Sequence, residues 1–390
     1  MTMKTNAICF FILIIVMASV CTFAGVREGE TPRGIPEITV TTVGPPEAPE
    51  GIMSPIEAMG YGDFRGVIHA HSYLSHDSYG TPARIIQAAN TVGVDFVLMS
   101  NHRSPYSVTH GLRGLHGGVW FFPGLEIGID RGCLLALNLR DNVSGETTQD
   151  KIDNINAQGG IAFLGHLEGI ENWDLTGWAG MEIYNAHYDA LYDGSVDRTF
   201  SQARHIEKNP DRVWQSILDR PDLYLEIWDR ELKKRKVPGI GANDSHENVV
   251  YNGFQLDTYE RSYGLMNTHL FLMEFNEAAI MDALRRGHAY VCFEVFSGCR
   301  GFSFTATDGE NTAIMGDDFR LDPDEPAKLE ISMPKKAKIQ LLKDGEIIKE
   351  EIAATMELEL AEPGVYRVEV SVKAAKKTKP WILSNPIYVR

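Results

Sequence analysis

Short apolar runs alternate with segments of helical pattern through the first three quarters of the chain. The first run, residues 66–69, is followed by a helix that Thr81 should cap, Pro82 should begin and Gly93 should end. Similar runs recur at residues 94–99, 119–122, 133–139, 161–164, 181–184 and 237–240. Helical patterns separate several of them, at residues 148–158, 195–207 and 221–236. This alternation predicts an α/β fold with a parallel sheet covered by helices, either a barrel or a doubly wound sheet.

The pattern changes after about residue 295, where apolar and polar residues alternate one by one. The alternating segments are residues 328–333, 338–343, 346–352, 356–360 and 365–372. Asp344-Gly345 is a strong two-residue hairpin signal, and Pro363-Gly364 indicates another turn. We therefore predict two domains, an α/β domain over residues 58–294 and a small antiparallel β-sandwich over residues 295–390.

The N-terminal segment has the layout of a secretory signal peptide. Lys4 is the only charge among residues 1–24, an apolar stretch fills residues 7–23, and small residues follow at Ala24 and Gly25. Residues 25–57 contain several prolines and no periodicity, which predicts a linker. We expect an exported protein, periplasmic or secreted, with no membrane contact after cleavage. A retained membrane anchor is the alternative, because the apolar stretch is near the lower limit for spanning a bilayer.

Charge and cysteine content narrow the classes of function. The formal net charge of −16 over 390 residues argues against a nucleic-acid-binding surface, which needs clustered lysines and arginines. Three of the five cysteines lie beyond the signal peptide, namely Cys133, Cys292 and Cys299. Three thiols do not make a disulfide framework, although Cys292 and Cys299 could pair in an oxidising compartment.

Histidines and carboxylates gather where the apolar runs end. His69 and His71 close the first run as His-Ala-His, and side chains two apart on an extended segment share a face. The other candidates at run ends are His76, Asp77, His102, Glu126, His166, Asp244 and His246. In α/β barrels such positions converge on one mouth. Imidazole nitrogen mixed with carboxylate oxygen suits Zn, Mn or Fe better than Mg or Ca, so the sequence predicts a transition-metal site.

The ordered set of motifs resembles the PHP (polymerase and histidinol phosphatase) superfamily, and most closely its carbaryl-hydrolase-like branch. The motifs are His69-x-His71, residues 75–82, Ser100-Asn101-His102, Pro123-Gly124-Leu125-Glu126, Gly165-His166 and Asp244-Ser245-His246, with Gly180-x-Glu-x-Tyr-Asn185 and Ala283-Leu-Arg-x-Gly287 beside them. The resemblance spans residue 64 to the C-terminus. It implies a distorted (β/α)7 barrel that holds two or three divalent metal ions.

Carried over position by position, the resemblance implies a set of metal ligands. They are His69, His71, His102, Glu126, His166, Asp244 and His246. Glu126 resembles the carboxylate that bridges two ions. One further ligand comes from Ser75-His76-Asp77, and spacing leaves both His76 and Asp77 open.

Three positions depart from the family pattern. Asn101 stands where the family usually has an aspartate, so the residue before His102 is neutral. Cys133 stands where the family usually has a histidine, and it is either a substituted ligand or a small buried thiol. Leu167 replaces the proline after His166 and changes only the turn.

Two further side chains are candidates for substrate contact. Arg103 could clamp an anionic substrate, since guanidinium matches phosphate or carboxylate with two hydrogen bonds, or it could be a surface residue. His187, near Tyr184 and Asn185, could donate a proton or simply pack.

The predicted function is hydrolysis of a small-molecule substrate by a metal-bound hydroxide, and an anionic substrate is one option. Phosphoester cleavage is favoured over carbamate, amide or ester cleavage. The alternative is a secreted binding protein whose pocket has lost catalysis and which uses the pocket or the β domain for recognition. A purely structural metal site would need only four closed ligands, fewer than the sequence offers.

Overall fold

The structure is a computed structural model, and it describes residues 54–192, 210–251, 254–374 and 377–390. The predicted signal peptide (1–24) and the predicted helix at residues 195–207 lie outside these ranges, as does the linker up to residue 53. Among the described helices, none has the length and apolar character needed to cross a membrane.

The described helices are short and scattered between the strands. They are α1 (Pro55–Ala58), α2 (Pro82–Val92), α3 (Thr148–Ala157), α4 (Ala186–Tyr192), α5 (Pro210–Ile217), α6 (Asp222–Leu232), α7 (Tyr259–Leu265) and α8 (Glu277–Arg286), with a 3-10 turn at Leu167–Gly169.

Within the described ranges, fourteen strands precede residue 293 and eight follow it. The first set is β1 (Gly62–Ala70), β2 (Phe96–Met99), β3 (Asn101–His102), β4 (Gly114–His116), β5 (Val119–Phe122), β6 (Leu125–Ile129), β7 (Gly132–Leu137), β8 (Ile161–Gly165), β9 (Gly180–Asn185), β10 (Gly239–Ala242), β11 (Val250–Tyr251), β12 (Phe254–Gln255), β13 (Asn267–Leu272) and β14 (Ala289–Cys292). The second set is β15 (Ser303–Thr307), β16 (Thr312–Ile314), β17 (Asp318–Phe319), β18 (Lys328–Lys343), β19 (Glu346–Glu359), β20 (Gly364–Ala374), β21 (Lys377–Ser384) and β22 (Ile387–Val389).

Helix α2 shows how the sequence sets its own boundaries. The side chain of Thr81 accepts a hydrogen bond from the backbone N–H of Arg84, and Pro82 follows at the first helical position. Gly93 ends the helix at φ 75°, in the left-handed region that glycine adopts at little cost. The predicted start and end of this helix are confirmed.

The fold is mixed α/β, and its sheets are less parallel than the alternation predicted. Strands β1, β2 and β5 run parallel, as do β8, β9 and β10. Strand β7, however, runs antiparallel to both β6 and β8, and β13 runs antiparallel to β1. The α/β class is confirmed, but the predicted parallel sheet contains antiparallel pairs, because only Asp130 and Arg131 connect β6 to β7 and a parallel connection needs a dozen or more residues.

The two large sheets meet at the carboxyl end of β1. The backbone N–H of His71 donates to Ser245 O at 2.9 Å, and that of Asn243 donates to Ile68 O at 2.9 Å. The backbone N–H of Ser100 donates to Ala70 O at 2.8 Å. The ends of β1, β2 and β10 are therefore tied together by backbone hydrogen bonds.

The C-terminal strands are longer than predicted. The alternating segments at 328–333 and 338–343 form the single strand β18 of 16 residues, and those at 346–352 and 356–360 form β19 of 14 residues. A register shift between Ser332 and Ala337 takes the place of the expected break. The Asp344-Gly345 hairpin turn is confirmed, with φ values of 52° and 90°.

The C-terminal strands join the same sheet as β1. Strand β14 pairs antiparallel with β21, and β21 pairs with β20. The disulfide Cys292–Cys299 follows directly at the end of β14, with the two Cα atoms 6.1 Å apart. The division into domains at residue 295 stays a prediction.

Two buried basic side chains on the C-terminal strands pair with residues in helix α6 or just before it. Arg367 is buried and makes two hydrogen bonds to Asp229, at 2.8 and 2.7 Å. Nζ of Lys379 is also buried and donates to Leu218 O at 2.7 Å and to Asp219 Oδ1 at 2.6 Å. Because breaking such a pair leaves a buried charge unpaired, these contacts hold the C-terminal strands in place.

Candidate metal centre

Side chains in or next to the ends of five strands converge on one cluster, four at carboxyl ends and Glu126 near the amino end of β6. His69 lies near the end of β1, His102 in β3 and Glu126 in β6, while His166 and Asp244 follow β8 and β10. Most of the predicted ligands lie in this cluster.

Three of these residues adopt a backbone conformation that L-amino acids disfavour. His69, His166 and Asp244 have φ values of 66°, 48° and 50°. Such conformations cost on the order of 1–3 kcal/mol each and concentrate at functional sites. All three of these residues belong to the cluster.

The cluster contains three overlapping groups of side chains that could each hold a metal ion. The first, called here the inner group, is His69, Glu126 and His166. The second, the outer group, is His71, Asp77, His102 and His246. The third, the middle group, is His69, His71 and Asp244. The inner and outer groups share no residue, whereas the middle group borrows one histidine from each.

Glu126 lies between the inner and outer groups. Its Oε1 is 3.4 Å from Nε2 of His166, in the inner group. Its Oε2 is 3.2 Å from Nδ1 of His102 and 3.5 Å from Nε2 of His71, both in the outer group. Oε2 also lies 3.5 Å from Nε2 of His69, in the inner group, so the carboxylate as a whole faces histidines of both groups.

Asp244 has the same double orientation. Its Oδ1 is 3.3 Å from Nε2 of His69 and 3.6 Å from Nε2 of His71. Its Oδ2 is 3.6 Å from Nε2 of His166. Two carboxylates therefore lie among histidines at separations slightly longer than hydrogen bonds.

The buried nitrogens of His69 and His71 fit metal binding. Nε2 of each is buried and has no hydrogen-bond partner among the described residues. Buried polar atoms are almost always satisfied, and an unpartnered pair facing carboxylates needs an explanation. A cation between these nitrogens and the carboxylates would satisfy both, so the donor set fits transition metals.

Two carboxylates stand behind the inner group. Oε1 of Glu182 lies 2.6 Å from Nδ1 of His69, and its Oε2 accepts the backbone N–H of His166 at 3.1 Å. Glu168 lies 3.6 Å from Nδ1 of His166 and is itself held by the hydroxyl of Tyr224. Both inner histidines thus have a carboxylate on the ring nitrogen that points away from the cluster.

Behind the outer group, His71 has only neutral groups, whereas His246 has a backbone oxygen and, 3.5 Å from its Nδ1, the shared carboxylate oxygen Oδ1 of Asp244. Oγ of Ser75 lies 3.0 Å from Nδ1 of His71 and donates to Oδ1 of Asn101 at 3.2 Å. Because the hydroxyl hydrogen goes to Asn101, the ring N–H of His71 must be the donor to Ser75. Nδ1 of His246 lies 3.1 Å from the backbone oxygen of Asp244.

The electrostatics of the cluster hold its carboxyl groups in the charged form. Burial alone would raise the pKa of Glu126, but the imidazoles of His69 and His166 outweigh it and hold that pKa far below its usual value. The pKa of Asp244 is likewise lowered, because His69 and His246 outweigh the effect of burial.

Asp77, and not His76, lies in the cluster. Oδ2 of Asp77 is 3.1 Å from Nε2 of His102 and 3.5 Å from Nε2 of His246. The side chain of His76 is 75% exposed and lies 3.8 Å from Asp77. Of the two residues that spacing left open, only Asp77 lies in the cluster. Its role as a metal ligand is part of the function proposed below.

Cys133 is a free, buried thiol at the edge of the cluster and belongs to none of the three groups. It lies opposite Gly165 in the β7–β8 ladder, and a Cβ at Gly165 would come within 2.7 Å of its sulfur. Burial, with Glu126 and Glu182 nearby, raises the pKa of this thiol well above its usual value. These contacts favour the small buried thiol over the substituted ligand.

The two predicted substrate contacts differ in position. Arg103 is exposed, directly after His102. The ring of His187 lies 5.8 Å from that of His246, and burial lowers the pKa of His187. His187 therefore borders the outer group, whereas Arg103 lies on the surface beside it.

Sequence reasoning missed three residues that support the cluster. Glu182 is fully buried, and Asn185 Nδ2 donates to Oδ2 of Asp244 at 3.4 Å. Glu168 is the third. A signal for Glu182 was present, since a carboxylate inside the apolar run 181–184 must have a buried partner.

A further group, His269, Cys292 and Glu294, has ligand atoms close enough to hold an ion. The sulfur of Cys292 is bonded to Cys299, so it is not a thiolate. The group offers two ligands in this state, fewer than a closed site requires.

Comparison with known proteins yields a likeness in structure and no match in sequence. No family model matches the chain, and no curated protein matches it. Among solved structures, the chain is similar to a two-domain protein from Bacteroides vulgatus that contains a predicted PHP-like metal-dependent phosphoesterase. The match covers 91% of this chain and 100% of that one, at 14% sequence identity and a TM-score of 0.43. A likeness at this level carries no functional weight, so the case for a metal-dependent enzyme rests on the side chains of the centre.

Proposed function

We propose that this protein is an exported hydrolase of the PHP type that uses two divalent transition-metal ions. The observation that carries the proposal is the pair of disjoint groups, inner and outer, with Glu126 and Asp244 directed at both. A single ion of four to six ligands would leave part of this donor set unused.

Charge balance supports bound cations. Glu126, Asp244, Asp77 and Glu182 bring four carboxylates into and behind the cluster, and within the described residues only histidines pair with them. Buried charges are normally paired or coordinate metals. Zn, Mn or Fe would supply the missing charge and accept imidazole nitrogen as well.

Two ions fit the donors better than three. The middle group has only Asp244 to offer once His69 serves the inner group and His71 the outer group. Cys133 lies outside all three groups. We therefore propose two ions, with Glu126 shared between them.

The bound ions would lower the pKa of a water molecule towards neutrality and polarise the substrate oxygen under attack. The protein would hold the two ions close together, because Glu126 and Asp244 both face histidines of the inner and the outer group. We assign proton transfer to the leaving group to His187, whose ring lies 5.8 Å from that of His246. Arg103 is placed to bind an anionic part of the substrate from the surface.

A phosphoester of a small molecule is the preferred substrate class, ahead of a carbamate, amide or ester. We further propose that the α/β part is the distorted (β/α)7 barrel that the sequence resemblance implies, in its carbaryl-hydrolase-like form, and that the C-terminal strands form a sandwich. Export, with no membrane contact after cleavage and no nucleic-acid partner, remains part of this proposal.

Metal analysis tests the proposal directly. Protein purified without chelator and loaded with zinc or manganese should contain two equivalents per chain by elemental mass spectrometry. Glu126→Ala should lose more than one equivalent and all hydrolysis of phosphoester and carboxylester test substrates. Glu171→Ala, which removes an exposed carboxylate, is the matched control and should keep both. One equivalent or none in the wild type, or full turnover by Glu126→Ala, would overturn the proposal.

A further inference from the structure

The inner and outer groups differ in what stands behind their histidines. His69 and His166 each have a carboxylate, Glu182 or Glu168, on the nitrogen that faces away from the cluster. His71 has the hydroxyl of Ser75 in that place. Nδ1 of His246 lies 3.1 Å from the backbone oxygen of Asp244 and 3.5 Å from its Oδ1, but this carboxylate oxygen also faces His69 and His71 and is therefore not dedicated to His246. A carboxylate behind a ligating histidine raises the basicity of the ligand, and loss of such a partner costs 10–100-fold in metal affinity.

His102 does not remove this difference. Its Nδ1 lies 3.2 Å from Glu126 and its Nε2 lies 3.1 Å from Asp77, so each ring nitrogen faces a candidate ligand. Neither carboxylate serves His102 alone. A carboxylate that itself binds an ion raises the basicity of a neighbouring imidazole less than a carboxylate that binds none.

Both oxygens of Glu182 are committed to support. Oε1 lies against Nδ1 of His69, and Oε2 accepts from the backbone of His166 at 3.1 Å and from Asn185 Nδ2 at 3.4 Å. The side chain is fully buried and pairs with no lysine or arginine of the described segments. Its negative charge therefore acts through His69 on whatever cation the inner group holds.

Asn101 stands behind His71, with Ser75 between them, as Glu182 stands behind His69, but the side chain of Asn101 is neutral. Its Oδ1 accepts from the backbone N–H of Ser72 at 2.7 Å, and from Oγ of Ser72 and of Ser75 at 2.9 and 3.2 Å. Ser75 in turn fixes Nδ1 of His71. The relay orients the ring of His71 without placing a charge behind it.

From these contacts we infer that the two metal positions are unequal: Glu182 makes the inner ion resident, and the neutral relay ending at Asn101 leaves the outer ion exchangeable. The inference rests on the proposed function and adds a regulatory consequence. The enzyme would keep one ion at all times and become active only when the free metal concentration fills the outer position.

Graded metal removal tests this inference on the full chain. Zinc-loaded protein is dialysed against a series of increasing chelator concentrations, and zinc per chain is measured by elemental mass spectrometry. We expect a plateau at one equivalent, with the two losses separated by at least about tenfold in free zinc. Loss of both ions in one step would overturn the inference while leaving the proposed function intact, whereas failure to bind any zinc would overturn both.

Variants then assign the two steps. Glu182→Gln should weaken the retained ion by about 10–100-fold and leave the exchangeable ion nearly unchanged. Asn101→Asp should tighten the exchangeable ion, because it places a charge at the end of the relay. Glu171→Gln is the exposed control and should shift neither step.

If Glu182→Gln does not fold, as judged by thermal melting, Glu168→Gln carries the same prediction on a partly exposed residue. Equal weakening of both steps by the folded variant would contradict the assignment.

Discussion

Oδ2 of Asp77 lies 3.1 Å from Nε2 of His102, while the adjacent His76 turns its ring to solvent. The two residues are neighbours in sequence and opposite in environment. This contrast provides a matched pair of variants within one loop.

Asp77→Asn should weaken the outer ion more than tenfold, since it removes the only carboxylate that belongs to the outer group alone. His76→Ala should change zinc content little, because an exposed ring 3.8 Å from Asp77 contributes to no group. Zinc titration of both variants, followed by elemental analysis, measures the difference. Equal loss in the two variants, or loss only in His76→Ala, would show that the ligand has been assigned to the wrong residue.

The site was more predictable from sequence than the sheet that carries it. Runs of apolar residues ending in His69, His102 or His166 could be recognised because strand ends converge in α/β folds. The turn signals at Gly93 and Asp344-Gly345 depend on local φ angles, which the residue type itself sets.

Strand direction and strand length could not be obtained in the same way. The apolar run of β7 contains no signal for strand direction. Only the short connection at Asp130-Arg131 determines that β7 runs antiparallel to β6. The merging of two segments into β18 depends on a register shift against β19, which is a tertiary property. The supporting role of Glu182 also needs the fold, because His69 is 113 residues away in sequence.

Cys133→Ser should leave both zinc equivalents in place, because the sulfur belongs to none of the groups that could hold an ion. Its stability cost should be about 1–3 kcal/mol if the buried hydroxyl finds no partner. Cobalt-substituted protein gives an independent reading, since a thiolate ligand produces an intense near-ultraviolet charge-transfer band. We expect no such band in the wild type. A band that disappears in Cys133→Ser would restore the cysteine as a ligand.

Lys379→Met should destabilise the protein by about 1–3 kcal/mol, because it leaves the carbonyl oxygen of Leu218 without its buried donor, while the part-exposed Asp219 remains in contact with solvent. Lys377→Met, on the same strand but exposed, should change the free energy of unfolding by less than about 0.5 kcal/mol. Urea unfolding monitored by tryptophan fluorescence compares the two. The metal content of Lys379→Met at low temperature should equal that of the wild type, which separates a structural role from one in the centre.

A second buried ionic cluster lies on β1, β13 and β14. Nδ1 of His269 is 2.6 Å from Asp63, and its Nε2 is 2.9 Å from Glu294. The hydroxyl of Tyr290 donates to Asp63 at 2.6 Å. Arg65 lies 3.7 Å from Glu294 and completes the charges around the imidazole.

This cluster predicts a pH dependence of stability in the alkaline range. Burial alone would lower the pKa of His269, but Asp63 and Glu294 outweigh it and raise that pKa to about 9 from its usual 6.5. A histidine with a raised pKa in the folded state stabilises fully below pH 6.5, and this stabilisation is lost as the pH rises through about 9. The loss should be on the order of 3 kcal/mol, from 1.36 kcal/mol per pKa unit. Urea unfolding at intervals between pH 6 and pH 10 measures it. His269→Asn should be less stable at pH 6 and should show a much flatter profile, whereas His110→Asn, at an exposed histidine, should keep the wild-type slope. A wild-type profile that is flat across this range, or an unchanged slope in His269→Asn, would show that the imidazole is not charged between its two carboxylates.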